Sequence, residues 1–223
     1  VDDKLPFLTN AERDNEIKLA NKVFNGWSKQ INDSTALRGV PLYLAFMHTG
    51  KGIKILEINS RPGDPESINL FPIIKDDFVD VCYKMISGNL LSVGLHKAAT
   101  VLTYKVPPEY GGYSDVYPDK VIKSDIGTAI DFTEAYKLTK KYDDKMRIYP
   151  GAMELRDGCR NYALKSRAVG VLAIGDSIEE ARRISQEGAR AIKGGGLWHR
   201  TDIATQHHID KSIKHMEKLR AKA

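Results

Sequence analysis

The sequence has two cysteines in 223 residues, Cys82 and Cys159, with no CxxC spacing, which excludes a disulfide framework and argues against a cysteine-based metal or redox site. It also lacks any apolar run near the ~20 residues that cross a bilayer. Its first residues, VDDKLPFLTN, have neither the basic nor the apolar region of a signal peptide. A cytoplasmic protein with no membrane partner is therefore expected. No stretch has the GxGxxG form of a phosphate-cradling loop, so any nucleotide must be gripped by other means.

Acidic residues are the minority: 34 Lys and Arg against 29 Asp and Glu give a formal charge of +5. Much of the excess lies between Lys211 and Lys222, where the spacing predicts a solvated helix face. No aromatic or glycine pattern of an RNA-binding module accompanies it, and a nucleic-acid partner is not expected. An anionic, phosphate-bearing small substrate suits the charge equally well.

What is present is a folded chain, 42% hydrophobic, long enough for one or two cores. Thr9 and Glu12 form a capping-box pattern, and Ile17, Ala20, Phe24, Trp27 and Ile31 follow at helical steps, predicting a helix with one face on a core. Residues 41–48 and 53–59 are two strand-like runs joined by Thr49, Gly50, Lys51 and Gly52, a hairpin. Residues 77–87 predict a helix that carries Val81, Cys82, Met85 and Ile86 inward and stops at Gly88. A strand over 98–106 ends at Pro107 and Pro108, and a surface loop is expected over 109–123.

Residues 168–174 are continuously apolar, and Ser177 with Glu180 repeats the capping-box pattern before a helix that Gly194, Gly195 and Gly196 are expected to end. His199 and Arg200, after Leu197 and Trp198, look like closers of that glycine turn. A terminal helix from about Gln206 sets Ile209, Ile213, Met216 and Leu219 against lysines. His207, His208 and His215 on it look like an exposed polar cluster. The whole predicts a mixed α/β protein in two parts, residues 1–96 and 97–223.

The chemistry concentrates after the hairpin. Glu57 and Asn59 lie two apart on a strand, so both side chains leave one face, while Leu56 and Ile58 are expected to point into the core. A carboxylate with an amide oxygen suits Mg²⁺, which keeps waters and phosphate oxygens and takes one or two protein groups. On spacing alone, an edge strand facing solvent explains the pair as well.

The next loop shifts that balance. Arg61 offers a planar fork for a phosphate or carboxylate, and Gly63 permits close backbone approach. Asp64 and Pro65 suit the N-cap and first position of a helix whose N–H groups would face an anion.

The run KILEINSRPGDPES, preceded by GVPLYLAFM, resembles the metal-binding strand and substrate loop of phosphoribosylamine–glycine ligases, which commonly read E-x-N-x-R-F-G-D-P-E. FPIIKDDFVDVCYKMISGNL, AATVLTYKVPPEYGG and AVGVLAIGDSIEEARRISQEGARAIKGGGLWHRTDI extend the resemblance over nearly the whole chain. It implies the C-terminal part of an ATP-grasp domain followed by a small α/β domain.

The resemblance also implies a carbon–nitrogen ligase of purine biosynthesis. ATP would phosphorylate the carboxylate of glycine, and the amine of 5-phosphoribosylamine would attack to give glycinamide ribonucleotide, ADP and phosphate. Glu57 and Asn59 would hold Mg²⁺ or Mn²⁺. Arg61, Gly63, Asp64, Pro65 and Glu66 would shape the substrate loop, and no protein nucleophile is implied. The chain departs from the pattern at Pro62, where Phe is common, and at Ala45, where some relatives carry Gln. It has nothing similar to the family's N-terminal lobe. A partial chain, inactive alone, is therefore expected, partnered by such a lobe in the same or a separate chain. The alternative is a non-catalytic assembly or binding subunit whose site has decayed.

Overall fold

The structure, a computed structural model, describes residues 6–32, 37–112 and 123–222. The part of the expected surface loop that falls on 113–122 lies outside them. Two compact units emerge, residues 1–96 with 206–223, and residues 97–205. The terminal helix thus groups with the first unit, whereas the sequence places it with the second.

In the first unit, α1 spans Asn10–Ile31 and opens on a full capping box. The Thr9 side chain accepts from Glu12 N–H, and the Glu12 carboxylate accepts from Thr9 N–H at 2.7 Å. Its apolar stripe does not reach a core as expected: no residue of α1 is buried, and Ile17 and Ile31 are each 49% exposed. Helical periodicity identifies which face is apolar but not what covers it.

Strands β1 (Tyr43–Thr49) and β2 (Gly52–Asn59) form the expected antiparallel hairpin. A five-residue helix, α2 (Glu66–Leu70), and a 3-10 turn over Phe71–Ile73 lead to α3 (Phe78–Ser87). Asp77 caps α3 by accepting from Val79 and Asp80 N–H at 2.9 and 3.0 Å, and Gly88 ends it with φ +74°. Val81 is buried, Cys82 and Met85 are half-buried, and Ile86, expected inward, is 65% exposed.

The second unit holds the main core. Strands β3 (Ala99–Lys105), β4 (Met146–Pro150) and β7 (Val169–Gly175) make an antiparallel sheet in the order β3-β7-β4, with β7 central. Strands β5 (Met153–Arg156) and β6 (Arg160–Ala163) form a separate hairpin. Helices α4 (Thr133–Tyr142) and α5 (Ile178–Ala191) pack against the sheet and each other. The continuous apolar run therefore marks a central strand, in which Val169, Val171, Leu172 and Ala173 are fully buried.

Ser177 caps α5 by accepting from Glu180 N–H at 3.1 Å. Glu180 accepts instead from Asp176 N–H at 2.8 Å, one residue before the position a capping box requires. Helix α5 ends at Ala191, with Ile192 already extended, so Gly194, Gly195 and Gly196 build a later turn with φ from +62° to +76° rather than the helix stop.

Helix α6 (Gln206–Arg220) returns to the first unit. Met216 is its one buried residue, and Arg220 grips both Glu12 carboxylate oxygens at 2.9 and 2.8 Å. Among the described residues, no helix is long and apolar enough to cross a membrane.

Candidate functional site

Register makes the site. Along the hairpin Thr49 pairs with Gly52, Met47 with Lys54 and Phe46 with Ile55, but Ala45 then pairs with Glu57 and Tyr43 with Asn59. Leu56 is the extra residue of a β-bulge, 60% exposed and without a partner position on β1. The expectation that Leu56 points into the core is corrected accordingly.

The bulge re-phases the strand. Side chains opposite one another in an antiparallel pair share a face, and alternate residues change face. Strict alternation would put Glu57 and Asn59 on the side of Ile53 and Ile55. With one residue looped out, Ile53, Ile55 and Ile58 share a face with Leu44, Phe46 and His48. Glu57 and Asn59 take the opposite face with Tyr43, Ala45 and Met47. The carboxylate and the amide are thus brought together, and the small Ala45 stands opposite Glu57.

Glu57 is exposed, and its carboxylate makes no hydrogen bond or ion pair with any described residue. Asn59 is half-buried, and its amide Nδ2 is shielded from solvent with no hydrogen-bond partner. Exchanging the two amide atoms by rotation presents an oxygen lone pair in place of that orphaned donor. An unengaged carboxylate beside such an amide fits a hard divalent cation that takes one or two protein ligands. No cluster of three or more His, Cys, Asp or Glu side chains suited to a metal occurs among the described residues.

The loop after β2 is open to solvent at Arg61, Pro62, Asp64 and Glu66, whereas Gly63 is buried. A β-carbon at 63 would lie 2.6 Å from Glu66 Oε2 and 2.8 Å from the Tyr43 ring, so the glycine is needed for this close approach. Tyr43, which the sequence did not single out, is hydrogen-bonded to Glu66. Burial, and then the Glu66 and Glu57 carboxylates, push its phenol pKa above the usual value. Its position opposite Asn59 in the hairpin register could have revealed it.

Two expectations for this loop are corrected. Pro65, not Asp64, occupies the N-cap of α2, with no side-chain cap hydrogen bond, and the Asp64–Pro65 peptide is cis. Helix α2 also does not aim its N–H groups outward as predicted: Ser67 N–H and its hydroxyl both donate to Gly63 C=O, at 3.0 and 2.5 Å. Capping of the short helix is met inside the loop, which leaves side chains, rather than the Ser67 N–H, to meet any anion there. Arg61 is exposed and donates from Nη1 to Pro62 C=O at 2.9 Å, which folds the fork back toward the loop.

No protein-family model matches the sequence. Curated phosphoribosylamine–glycine ligases do: that of Methanocaldococcus jannaschii is 36% identical over 222 residues, 98% of this chain and 45% of the relative. That of Methanobrevibacter smithii is 33% identical over 216 residues, 96% of this chain and 45% of the relative. The crystal structure of phosphoribosylamine–glycine ligase from Thermotoga maritima superposes with a TM-score of 0.50 at 26% identity, covering 73% of this chain and 36% of that one. The chain spans less than half the length of the curated relatives it matches, and over nearly all of its own length it is similar to phosphoribosylamine–glycine ligases.

Proposed function

We propose that this chain is the C-terminal half of a phosphoribosylamine–glycine ligase, a soluble cytoplasmic enzyme of purine biosynthesis. It supplies the metal strand and the substrate loop of an ATP-grasp site. The supporting observation is the bulge at Leu56, which turns Glu57 and Asn59 to one face of the hairpin immediately before the exposed Arg61–Glu66 loop. In this reading Glu57 and Asn59 hold Mg²⁺ or Mn²⁺, which when bound neutralises charge on the β- and γ-phosphates of ATP.

The chain's own residues then do the positioning. Arg61 presents a fixed fork to a phosphate or carboxylate oxygen. Gly63 lets the loop close on the Tyr43 ring, and the Tyr43–Glu66 hydrogen bond holds the far side of the loop. Asp64 and Pro65 set its turn. Activating a carboxylate with ATP needs no protein nucleophile, so orientation and charge carry the catalysis. A lobe that grips ATP, on the same or a separate chain, completes the site.

Reconstitution tests this. The chain is mixed with an N-terminal lobe, and ADP release is measured with glycine and 5-phosphoribosylamine present together or singly. The expected result is no turnover by the chain alone, and turnover on mixing that needs both substrates. Glu57→Ala should abolish it while the circular dichroism spectrum stays unchanged. A mixture that binds the lobe but never turns over supports a non-catalytic assembly role instead. Full activity from the isolated chain refutes the half-enzyme reading.

A further inference from the structure

The second unit carries a cavity of about 350 Å³, open to solvent, where the end of β3, the end of α5 and the glycine turn meet. Lys105, Arg190, Lys193 and His199 line it, with Asp125 the one carboxylate among the described residues that line it. This is a concentration of cations within a single unit, far along the chain from the Glu57–Glu66 segment.

Lys105 is 6% exposed, and its ammonium donates to Ile192 C=O at 2.5 Å. A simpler reading is that it only caps the carbonyl end of α5, where a positive charge is favourable. That accounts for one of its three N–H donors. Among the described residues no acceptor meets the other two, and Arg190 and Lys193 carry no ion pair. His199 adds another unmet group, because its Nε2 is shielded from solvent and has no partner. Arg190 and Lys193 are exposed, but buried polar groups are ordinarily satisfied, so the unmet donors of Lys105 and the orphaned His199 nitrogen beside one cavity call for a shared partner.

The electrostatics agree with the geometry. Burial, and then the charges of Lys105, Arg190 and Lys193, lower the His199 pKa to about 4. Burial and then Lys193 lower Lys105 to about 8, against a smaller opposing pull from Asp125. The neighbouring cations repel one another across the cavity, and an anion placed among them would oppose that repulsion and offset part of the cost of burying Lys105.

Shape narrows the class. Ile192, Leu197 and Trp198 supply an apolar wall beside the cations. The volume lies at the small end for ligand cavities. A group with several oxygens can accept from Lys105, Arg190, Lys193 and a neutral His199 at once. We propose that this cavity is a binding site for a small phosphate monoester, with its phosphate on Lys105, Arg190, Lys193 and His199 and its organic part against Leu197 and Trp198. The inference rests on this unit alone and is independent of the ligase reading.

The test uses the full chain with inorganic phosphate and then glycerol 3-phosphate as probes, read by the imidazole NMR signal of His199 assigned through His199→Gln. A saturable shift with one equivalent bound is expected, together with a rise in the His199 pKa from about 4. Arg190→Gln and Lys193→Gln should each weaken binding roughly threefold or more, because each removes one charge-assisted contact. Lys105→Met should weaken it further. Where that variant fails to fold, the two other substitutions carry the test. The proposal is overturned if no saturable shift appears at millimolar probe, if the Arg190 and Lys193 variants bind as the parent does, or if chloride at equal ionic strength reproduces the shift.

Discussion

Substituting Gly188 by alanine sets two opposing effects against each other. Gly188 lies inside α5 on the face that also buries Ala181, Ile184 and Ala189. In an exposed helix the change gains about 1 kcal/mol, since glycine has more backbone entropy to lose. Here the new β-carbon would overlap Met146 Cε and lie 2.8 Å from Val171 Cγ1 and 3.1 Å from Met146 Sδ. Methionine is flexible, but Met146 is 2% exposed and Val171 fully buried, so neither has room to retreat.

Overpacking a closed core costs about 1–3 kcal/mol, and with two immobile neighbours the upper part of that range applies. The balance is a net loss of about 1–2 kcal/mol. For a unit of about 100 residues that lowers the melting temperature by several degrees. Urea unfolding followed by circular dichroism measures it. Shortening the neighbour with Met146→Val in the same chain should recover part of the loss, a coupling that a double-mutant cycle isolates. A Gly188→Ala chain as stable as the parent, or more so, would show that the helix and the sheet are not in the contact described.

Gly26→Ala is the complementary case: that glycine is in α1 with nothing within 4 Å of the added carbon, so a gain of roughly 0.5–1 kcal/mol should appear in the same unfolding assay. Gly63→Ala should displace the Tyr43 ring and Glu66, with reconstituted ligation falling at least tenfold while secondary structure persists; unchanged turnover would remove the loop from the site. The Glu12 pKa is held at about 2, first by its hydrogen bond to Arg220 and also by Thr9. Because the folded value is depressed below 4.5, this stabilisation is present above about pH 4.5 and lost as pH falls toward 2. Amide protection factors in α6, corrected for the intrinsic exchange rate at each pH, should fall over that interval, and Arg220→Met should abolish that fall.

Caps and local periods were the legible part of the fold. Thr9 with Glu12, Asp77 with Gly88, and Ser177 each fix a helix boundary through contacts within four residues, which a linear pattern records directly. The buried strand over 169–175 was legible for the same reason. Partnership was not: the apolar stripe of α1 predicted a core that none of its residues reaches, since amphipathicity carries no information about what covers a face.

The site divides in the same way. That Glu57 and Asn59 share a face was legible from two-residue spacing, but which face they take depends on Leu56 being looped out, a choice made by pairing with β1. Gly63 was read as a point of close approach without its neighbours, Tyr43 and Glu66. The second cavity was invisible because Lys105 and His199 meet only after β3, α5 and the glycine turn have assembled.

A length change inside a strand normally inverts every side chain beyond it, exchanging oily and wet sides. The loop-out at Leu56 makes β2 an exception. Removing that leucine leaves Gly-Ile-Lys-Ile-Glu-Ile-Asn, a run in which each isoleucine and each polar group would keep its present side. The hairpin therefore contains a position where a codon can be lost without reversing the strand, and what such a loss would change is the local coil of the ribbon and hence the direction in which its acidic end is aimed.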